Sequence, residues 1–276
     1  MRLSFYIVLL ASIFFFGCSW KKVNVQEGEF DVYTPAPYYG AGFSMNEKSE
    51  AKRISLQFRP YDHETLQLHD VMNYSADTGP GGYSLRNEEA NIAYKLKRFP
   101  VTGTFDYFSK NILSMWGMGL GLDPYPFIRA TAGINSRFIE AGITGYLNYS
   151  ILKYNAKGKW ISLTQTLAGD MDDYGALSCE DCKEGKFNGG IGGFLNIFPI
   201  KELALTYAPF IYKPWWDDEL GDSEISFEFP YIFSQYLGGS YLIAKHIQVS
   251  AGATIYIGKK FSGHYWFFDS SLGFVF

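Results

Sequence analysis

The sequence predicts an all-β fold, an antiparallel up-and-down transmembrane β-barrel of about 12 strands. Three observations predict it: a composition rich in glycine and aromatic residues, apolar side chains at alternate positions after residue 50, and connections that differ in length. We expect a signal peptide at residues 1–17, a tether at 18–50 and the barrel itself at 51–276.

The composition favours many short strands over helices. Aromatic residues make up 18% of the 276 residues and glycine occurs 29 times, whereas charged residues account for only 19%. Aromatic residues are enriched in strands, and glycine at this level exceeds its ordinary share of about 7%. The net charge is −4 and no basic patch is present, so we expect no nucleic-acid partner. No cofactor is predicted.

The alternation of apolar and polar residues is clearest between residues 247 and 257. One face of this predicted strand is apolar and the other polar or small: Ile247, Val249, Ala251, Ala253, Ile255 and Ile257 against Gln248, Ser250, Gly252, Thr254 and Tyr256. A strand between lipid and a polar lumen requires this pattern. The predicted strands are residues 52–60, 89–97, 101–108, 112–122, 125–134, 138–151, 158–168, 187–197, 201–212, 224–243, 247–257 and 265–276. Further strands at 38–43 and 61–74 would make 14, and that alternative stays open.

The connections provide the third observation. Short turns are predicted at residues 99–100, 123–126, 155–158, 199–202 and 244–246, and longer links at 75–88, 169–186, 213–223 and 258–264. Membrane barrels have short turns on one side of the membrane and long loops on the other. Counting back from the C-terminus places the short turns, and the start of the tether, at the same end as Phe276.

The N-terminus carries an export signal. Arg2 precedes an apolar run, Leu3–Phe16, which is shorter than the ~20 residues that a helix needs to cross a bilayer. The run closes on Gly17 and Cys18, and Phe15-Phe16-Gly17-Cys18 resembles the lipobox of bacterial lipoproteins. This resemblance implies that Cys18 carries lipid, palmitate included, although Phe15 and Phe16 depart from the usual pattern. A plain secretory signal is the alternative.

The chain ends in Ser271-Leu272-Gly273-Phe274-Val275-Phe276, with apolar residues at alternate positions before a terminal aromatic residue. This ending resembles the terminal signature of the β-barrel proteins of Gram-negative outer membranes. The resemblance implies that Phe274 and Phe276 are read by the barrel-assembly machinery and that outer-membrane lipid surrounds the barrel. It also implies a periplasmic C-terminus, loops facing outside, and a lipid anchor on the periplasmic side.

The alternation predicts which charged side chains line the lumen. They are Arg59, Lys95, Lys97, Asp106, Arg129, Glu140 and Asp269. Charges of both signs either line a polar pore or pair with each other and fill the barrel. A barrel of about 8 strands is filled by its own side chains, and one of about 16 or more leaves a channel. Twelve strands therefore do not decide between a pore and a filled barrel.

Two loops and one pair of residues are further candidate sites. Cys179 and Cys182 lie in an acidic predicted loop, where an exported protein favours a disulfide pinning the loop tip over metal or redox chemistry. Trp215-Trp216 fits an aromatic belt at the membrane interface, with carbohydrate stacking as the alternative. His264 near Ser262 is the one pairing suited to hydrolysis, and a solvated histidine is the simpler interpretation.

The predicted function is a porin-like channel or a structural surface component, without enzymatic activity; the solute is not predicted. The alternatives are a lipid-acting enzyme of the outer membrane and a soluble periplasmic barrel that binds a ligand. The outward face separates the last from the others, because contact with lipid requires Ile247, Val249, Ile255 and Ile257 to point outward.

Overall fold

The computed structural model describes residues 19–44, 49–60, 66–76, 85–111, 113–166, 169–215, 219–220, 223–225, 229, 231–257 and 265–276. Its strands are β1 (Ser19–Tyr33), β2 (Glu50–Phe58), β3 (Leu66–Ala76), β4 (Leu85–Lys97), β5 (Val101–Asn111), β6 (Ser114–Asp123), β7 (Tyr125–Asn135), β8 (Ile139–Thr166), β9 (Gly169–Ile200), β10 (Leu203–Lys213), β11 (Glu219–Leu220), β12 (Ser223–Ile225), β13 (Ile232–Ile243), β14 (Ile247–Ile257) and β15 (Tyr265–Val275). Among the described residues, no helix is long and apolar enough to cross a membrane.

Ten of the described strands close into an antiparallel ring. β2, β5, β6, β7, β8, β9, β10, β13, β14 and β15 pair in that order, and β15 pairs back with β2. The predicted antiparallel barrel is therefore confirmed. Within the described residues, each of the twelve predicted segments contains a strand, but two of them, 89–97 and 158–168, lie outside the ring. The first belongs to β4, and the second is the outer part of β8.

The strands outside the ring form a sheet that continues the barrel wall. β8 and β9 run on as a long hairpin, and β1 pairs antiparallel with β8 from Asp31↔Lys153 to Ser19↔Thr164. The other edge of β1 pairs in parallel with β4, and β4 pairs with β3. We call β1, β3, β4 and the outer halves of β8 and β9 the outer sheet.

The turn predicted at residues 155–158 is absent, which corrects the strand count. Asn155 and Gly158 favour turns locally, but this stretch of β8 is paired on both edges, with β1 and with β9. Pairing on two edges overrides a local turn preference, so β8 continues as one strand.

The two ends of the barrel differ in their connections. The C-terminal end, which holds Phe276, has the short connections from β5 to β6, β7 to β8, β9 to β10 and β13 to β14. The far end has the longer links and also the short turns at residues 98–100 and 124. The prediction that these last two turns lie beside Phe276 is wrong, because a miscounted strand reverses the direction of every strand before it.

The start of the tether is also at the far end. The last residue of β1, Tyr33, pairs with Lys97, the last residue of β4, at the far end of the ring. The first residue of β1, Ser19, lies farther from the ring, beside Thr164. The prediction that the tether starts beside Phe276 is therefore wrong. It depended on residues 18–50 staying outside the barrel, whereas part of this stretch passes through it.

The outer face of the ring is apolar. Leu120, Ile143 and Ile191 are each about 60% exposed, since these side chains have no neighbours on the outside. Ile247 and Val249 face outward in the same way, as contact with lipid requires. A water-soluble protein rarely exposes so large an apolar surface.

A shallow hollow of about 870 Å³ interrupts this outer face between β5 and β10. Its lining consists mainly of outward-facing apolar side chains, among them Leu120, Ile128 and Ile191. The hollow is thus part of the apolar exterior.

The exterior gives a first expected result. Leu120 lies at the middle of β6, and an arginine on the lipid face near the membrane centre costs about 2–4 kcal/mol. We expect Leu120→Arg to lower the free energy of unfolding from lipid vesicles by this amount, measured by urea titration. Leu120→Met is the matched control and should leave it nearly unchanged. Equal stability of the two variants would show that this face does not contact lipid.

Candidate functional site: a lumen filled by the chain itself

The lumen is crossed by the residues that join β1 to β2, which we call the lumen segment (residues 34–43). At the far end, Thr34 donates its N–H to the Lys97 carbonyl oxygen (2.9 Å). At the C-terminal end, Phe43 is buried in an apolar cluster that includes residues of several ring strands, such as Phe108 and Val275. A segment of this length reaches about 33 Å when extended, comparable to the ~30 Å apolar thickness of a bilayer. A strand predicted at 38–43 is absent, because these residues bond to side chains of the wall instead of to a neighbouring strand.

Near the C-terminal end, two charged side chains and a glutamine hold the backbone of the lumen segment. The Glu140 carboxylate accepts the N–H groups of Ala41 (2.6 Å) and Gly42 (3.2 Å). The Ala41 carbonyl oxygen accepts from Arg53 (2.8 Å) and from Gln248 (3.1 Å). Glu140, Arg53 and Gln248 belong to β8, β2 and β14, so the segment is held from several sides of the ring.

Neutral side chains hold the middle of the segment. Asn196 donates to the Tyr39 carbonyl oxygen at 2.7 Å. The Tyr39 hydroxyl bonds to Ser250 (3.1 Å) and Ser271 (2.8 Å). Buried backbone outside regular structure needs such partners, because an unpaired N–H or C=O costs about 1–3 kcal/mol. The wall of the barrel is therefore matched to this segment in detail.

A charged cluster packs beside the segment. Asp106 accepts from Arg53 at 2.8 Å and from Arg129 at 2.6 Å, and all three side chains are buried. The Arg129 guanidinium lies 4.1 Å from the centre of the Tyr38 ring, within range of a cation–π interaction. A Cβ on Gly119 would lie 2.3 Å from the Asp106 carboxylate, so the cluster needs a glycine at that point of β6.

Two further ion pairs fill the lumen towards the far end. Arg59 pairs with Asp123 and also donates to the Thr34 carbonyl oxygen at 2.9 Å. Arg98 pairs with Asp269, which also accepts from Thr254. These arginines and aspartates inside the barrel are thus paired with each other, whereas Glu140 is bonded to the backbone of the lumen segment.

Aromatic side chains close the far end. Trp215 and Phe229, from the link between β10 and β13, pack with ring centres 4.4 Å apart. Phe30 of β1 and Tyr94 of β4 pack around them, and all four are buried. The prediction that Trp215 belongs to an aromatic belt is wrong, because its indole is fully buried within this cap instead of facing lipid. Trp216 lies outside the described residues.

Most of the predicted lumen residues do face the lumen. Arg59, Asp106, Arg129, Glu140 and Asp269 are buried inside the ring. Lys95 and Lys97 are not, and their prediction is wrong. They lie on β4, outside the ring, and pair with Glu29 and Asp31 of β1. The alternate residues of β4, such as Ile92 and Tyr94, take the buried face, which leaves the lysines outward.

Several residues of the lumen wall were not among those predicted. Arg53 and Gln57 alternate with the apolar residues of the same strand and could have been found from that pattern alone. Asp123 was hidden because it belongs to a predicted turn. The lumen segment has no periodic signal, since each of its residues meets a different part of the wall.

The Sγ atoms of Cys179 and Cys182 are joined in a disulfide, with their Cα atoms 6.0 Å apart. The bond lies within β9 instead of at the tip of a loop, because residues 169–186 pair with β8. It spans an irregularity in that pairing, where Asp181 has a positive φ of 53° and donates its N–H to the Asn155 side chain. The disulfide therefore closes a bulge in the outer sheet.

Other predicted sites lie outside the described residues: Cys18, Ser262 and His264. Within the described part of the chain, no cluster of three or more His, Cys, Asp or Glu residues is placed to hold a metal ion. Phe274 and Phe276 are half-exposed on the outer face. Their role in assembly stays a prediction.

The fit of the lumen segment gives a second expected result. Gly40 has a φ of +70°, and a Cβ there would lie 2.1 Å from a Glu140 oxygen and 2.5 Å from the Phe194 ring. We expect Gly40→Ala to lower the free energy of unfolding by about 1–3 kcal/mol, since strain and displacement of Glu140 add. Gly145→Ala is the control, because its Cβ would meet nothing within 4 Å. Equal effects of the two substitutions would contradict the described fit.

The fold and the site together define a class: a closed antiparallel β-barrel with an apolar exterior and a lumen occupied by its own chain. No family model matches the sequence, and no curated protein matches it. Similar solved structures include the translocator domain of the autotransporter NalP from Neisseria meningitidis, with 12% identity, coverage of 85% of this chain and 90% of that one, and a TM-score of 0.35. The NanC porin shares 7% identity over 81% of this chain and 98% of its own, at a TM-score of 0.31. The CymD monoaromatic hydrocarbon channel shares 8% identity over 88% of this chain and 94% of its own, also at a TM-score of 0.31. At these values the likeness carries no information on function.

Proposed function

We propose that this chain is an outer-membrane β-barrel that is sealed by its own N-terminal segment and acts as a structural surface component. The observation that carries the proposal is the lumen segment, which is bonded to side chains of the ring along its whole length. A passive channel needs a continuous water-filled path. Here the cross-section is taken up by the segment, by paired charges and by the aromatic cap.

The membrane location is supported by the exterior of the ring. Its outward side chains are apolar, while its inward side chains include the buried charged and polar residues, as in a barrel that spans lipid. A closed ring leaves no unpaired strand edge within the ring, and lipid cannot solvate such an edge. A soluble barrel that binds an apolar ligand would need the opposite distribution.

A porin-like channel is the second candidate. It is favoured by the polar wall that surrounds the segment, in particular Arg53, Asp106, Arg129 and Glu140. If the lumen segment leaves, these side chains face water and line a charged passage. Conduction in this proposal depends on displacement of the segment.

The remaining parts of the proposal come from the sequence. A lipid on Cys18, recognition of Phe274 and Phe276 by the barrel-assembly machinery, and the absence of enzymatic activity are each proposed on that basis. A lipid-acting enzyme would need a nucleophile and a base near the rim, and the pair Ser262 and His264 is the candidate for it.

The test uses the full chain, extracted from membranes with detergent. We expect a band that migrates differently on a gel before and after heating, and a conductance in planar bilayers no greater than that of lipid alone. Stepwise conductance of the full chain would overturn the seal and favour the porin-like candidate. A protein that stays soluble without detergent once Cys18 is replaced would overturn the membrane location itself.

A further inference from the structure

The path of the lumen segment decides where the N-terminal strand emerges. β2 begins at the C-terminal end of the ring, whereas β1 ends at the far end, so the chain crosses the lumen between them. From Tyr33, β1 runs away from the ring along β8 until Ser19 pairs with Thr164. The described chain therefore starts beyond the far end of the barrel.

This position of β1 is built into the fold. β1 is paired on both edges, with β8 on one and with β4 and β12 on the other. Phe30 holds it from the inner side through the aromatic cap. On the opposite face, Glu29 and Asp31 pair with the lysines of β4. Moving β1 to the other end would break the strand pairing, the cap and the bonds of the lumen segment together.

The connections indicate which end faces outward. In outer-membrane barrels the short turns face the periplasm and the longer loops face outside. All four turns at the C-terminal end are short, between β5 and β6, β7 and β8, β9 and β10, and β13 and β14, whereas the far end has the long links beside its two short turns. The far end, with β1, is accordingly the outer end.

We infer that the N-terminal strand is displayed on the outer surface of the outer membrane and is joined to the barrel by the lumen segment. The inference rests on the membrane location in the proposed function. During assembly, the N-terminal strand does not have to be threaded through a finished barrel. The ring is closed by the pairing of β15 with β2, the strand that directly follows the lumen segment, so the ring can close around the segment. Cys18 directly precedes Ser19, so in this arrangement a lipid on Cys18 would anchor the chain on the outer surface of the membrane. This surface anchor takes the place of the periplasmic anchor predicted from the sequence.

The test is labelling of single cysteines in intact Gram-negative cells with a maleimide that does not cross the outer membrane. Glu27→Cys places a thiol on an exposed position of β1, and Lys153→Cys places one on an exposed position of β8 at the same end. Lys201→Cys places one in the turn between β9 and β10 at the opposite end. The unsubstituted chain gives the background from Cys18, since Cys179 and Cys182 are bonded to each other.

We expect Glu27→Cys and Lys153→Cys to be labelled in intact cells, and Lys201→Cys only after the outer membrane is permeabilised. Labelling of Lys153→Cys without Glu27→Cys in intact cells would overturn the path of the segment. Labelling of Lys201→Cys in intact cells, with the other two labelled only after permeabilisation, would overturn the orientation. Heat-modifiable migration is measured for each variant. A variant that shifts on heating but labels wrongly contradicts this inference alone, whereas variants that never shift contradict the proposed function as well.

Discussion

Glu140→Ala is expected to convert the sealed barrel into one that conducts ions. Glu140 is fully buried and accepts the N–H groups of Ala41 and Gly42, the two bonds that hold the segment to β8. Each buried N–H left without a partner costs about 1–3 kcal/mol. Since 1.4 kcal/mol corresponds to a factor of ten in an equilibrium, we expect the population with a displaced segment to rise at least about tenfold.

The measurement is the frequency of open events in planar bilayers, compared with the unsubstituted chain. Glu140→Gln should give an intermediate result, because an amide oxygen can still accept one of the two bonds. Glu202→Ala removes the same charge from the turn at the same end, where the carboxylate pairs with Lys201 outside the lumen. Equal conductance of Glu140→Ala and Glu202→Ala would argue against the lumen segment as the seal.

Asp106→Ala is expected to cause the largest loss of stability of any single substitution proposed for this barrel. Asp106 lies between Arg53 and Arg129, and its removal leaves two buried guanidinium groups without their carboxylate. Breaking a buried ion pair by removing one partner costs about 3–5 kcal/mol. The loss should appear as a lower temperature for the shift between the folded and unfolded bands on a gel.

The control for Asp106→Ala is Asp31→Ala, which removes a carboxylate from a partly exposed pair with Lys97 on the outer sheet. Exposed pairs contribute about 0–1 kcal/mol, so this variant should shift little. Adding Arg129→Met to Asp106→Ala removes one of the unpaired cations and should restore part of the loss. A double variant no more stable than Asp106→Ala would show that lost packing, and not buried charge, causes the effect.

The ring strands could be predicted because each one carries its two environments in its own residues. In β14, Ile247 and Val249 face outward while Gln248 and Ser250 face the lumen, as the alternation indicated. The same rule found Glu140 and Asp106, and applied to β2 it would also have found Arg53. No knowledge of neighbouring strands is needed for this step, since lipid and lumen differ in the same way around the whole ring.

The outer sheet could not be predicted in this way. β4 alternates as a ring strand does, yet it pairs with β1 outside the ring, so Lys95 and Lys97 take a different face from the one predicted. Alternation shows that a strand has two unlike faces, but the partner strand decides what each face meets. The continuation of β8 through residues 155–158 was missed for the same reason.

What the sequence alone determined is the barrel: an antiparallel ring with an apolar exterior, a polar interior and a closing strand that ends in Phe276. What only the tertiary structure decided is what occupies the interior and where the N-terminus emerges. The lumen segment has no period, because its contacts come from residues far apart in sequence, such as Ala41 with Glu140 and Tyr39 with Asn196. Such contacts exist only once the ring has brought its strands together around the segment.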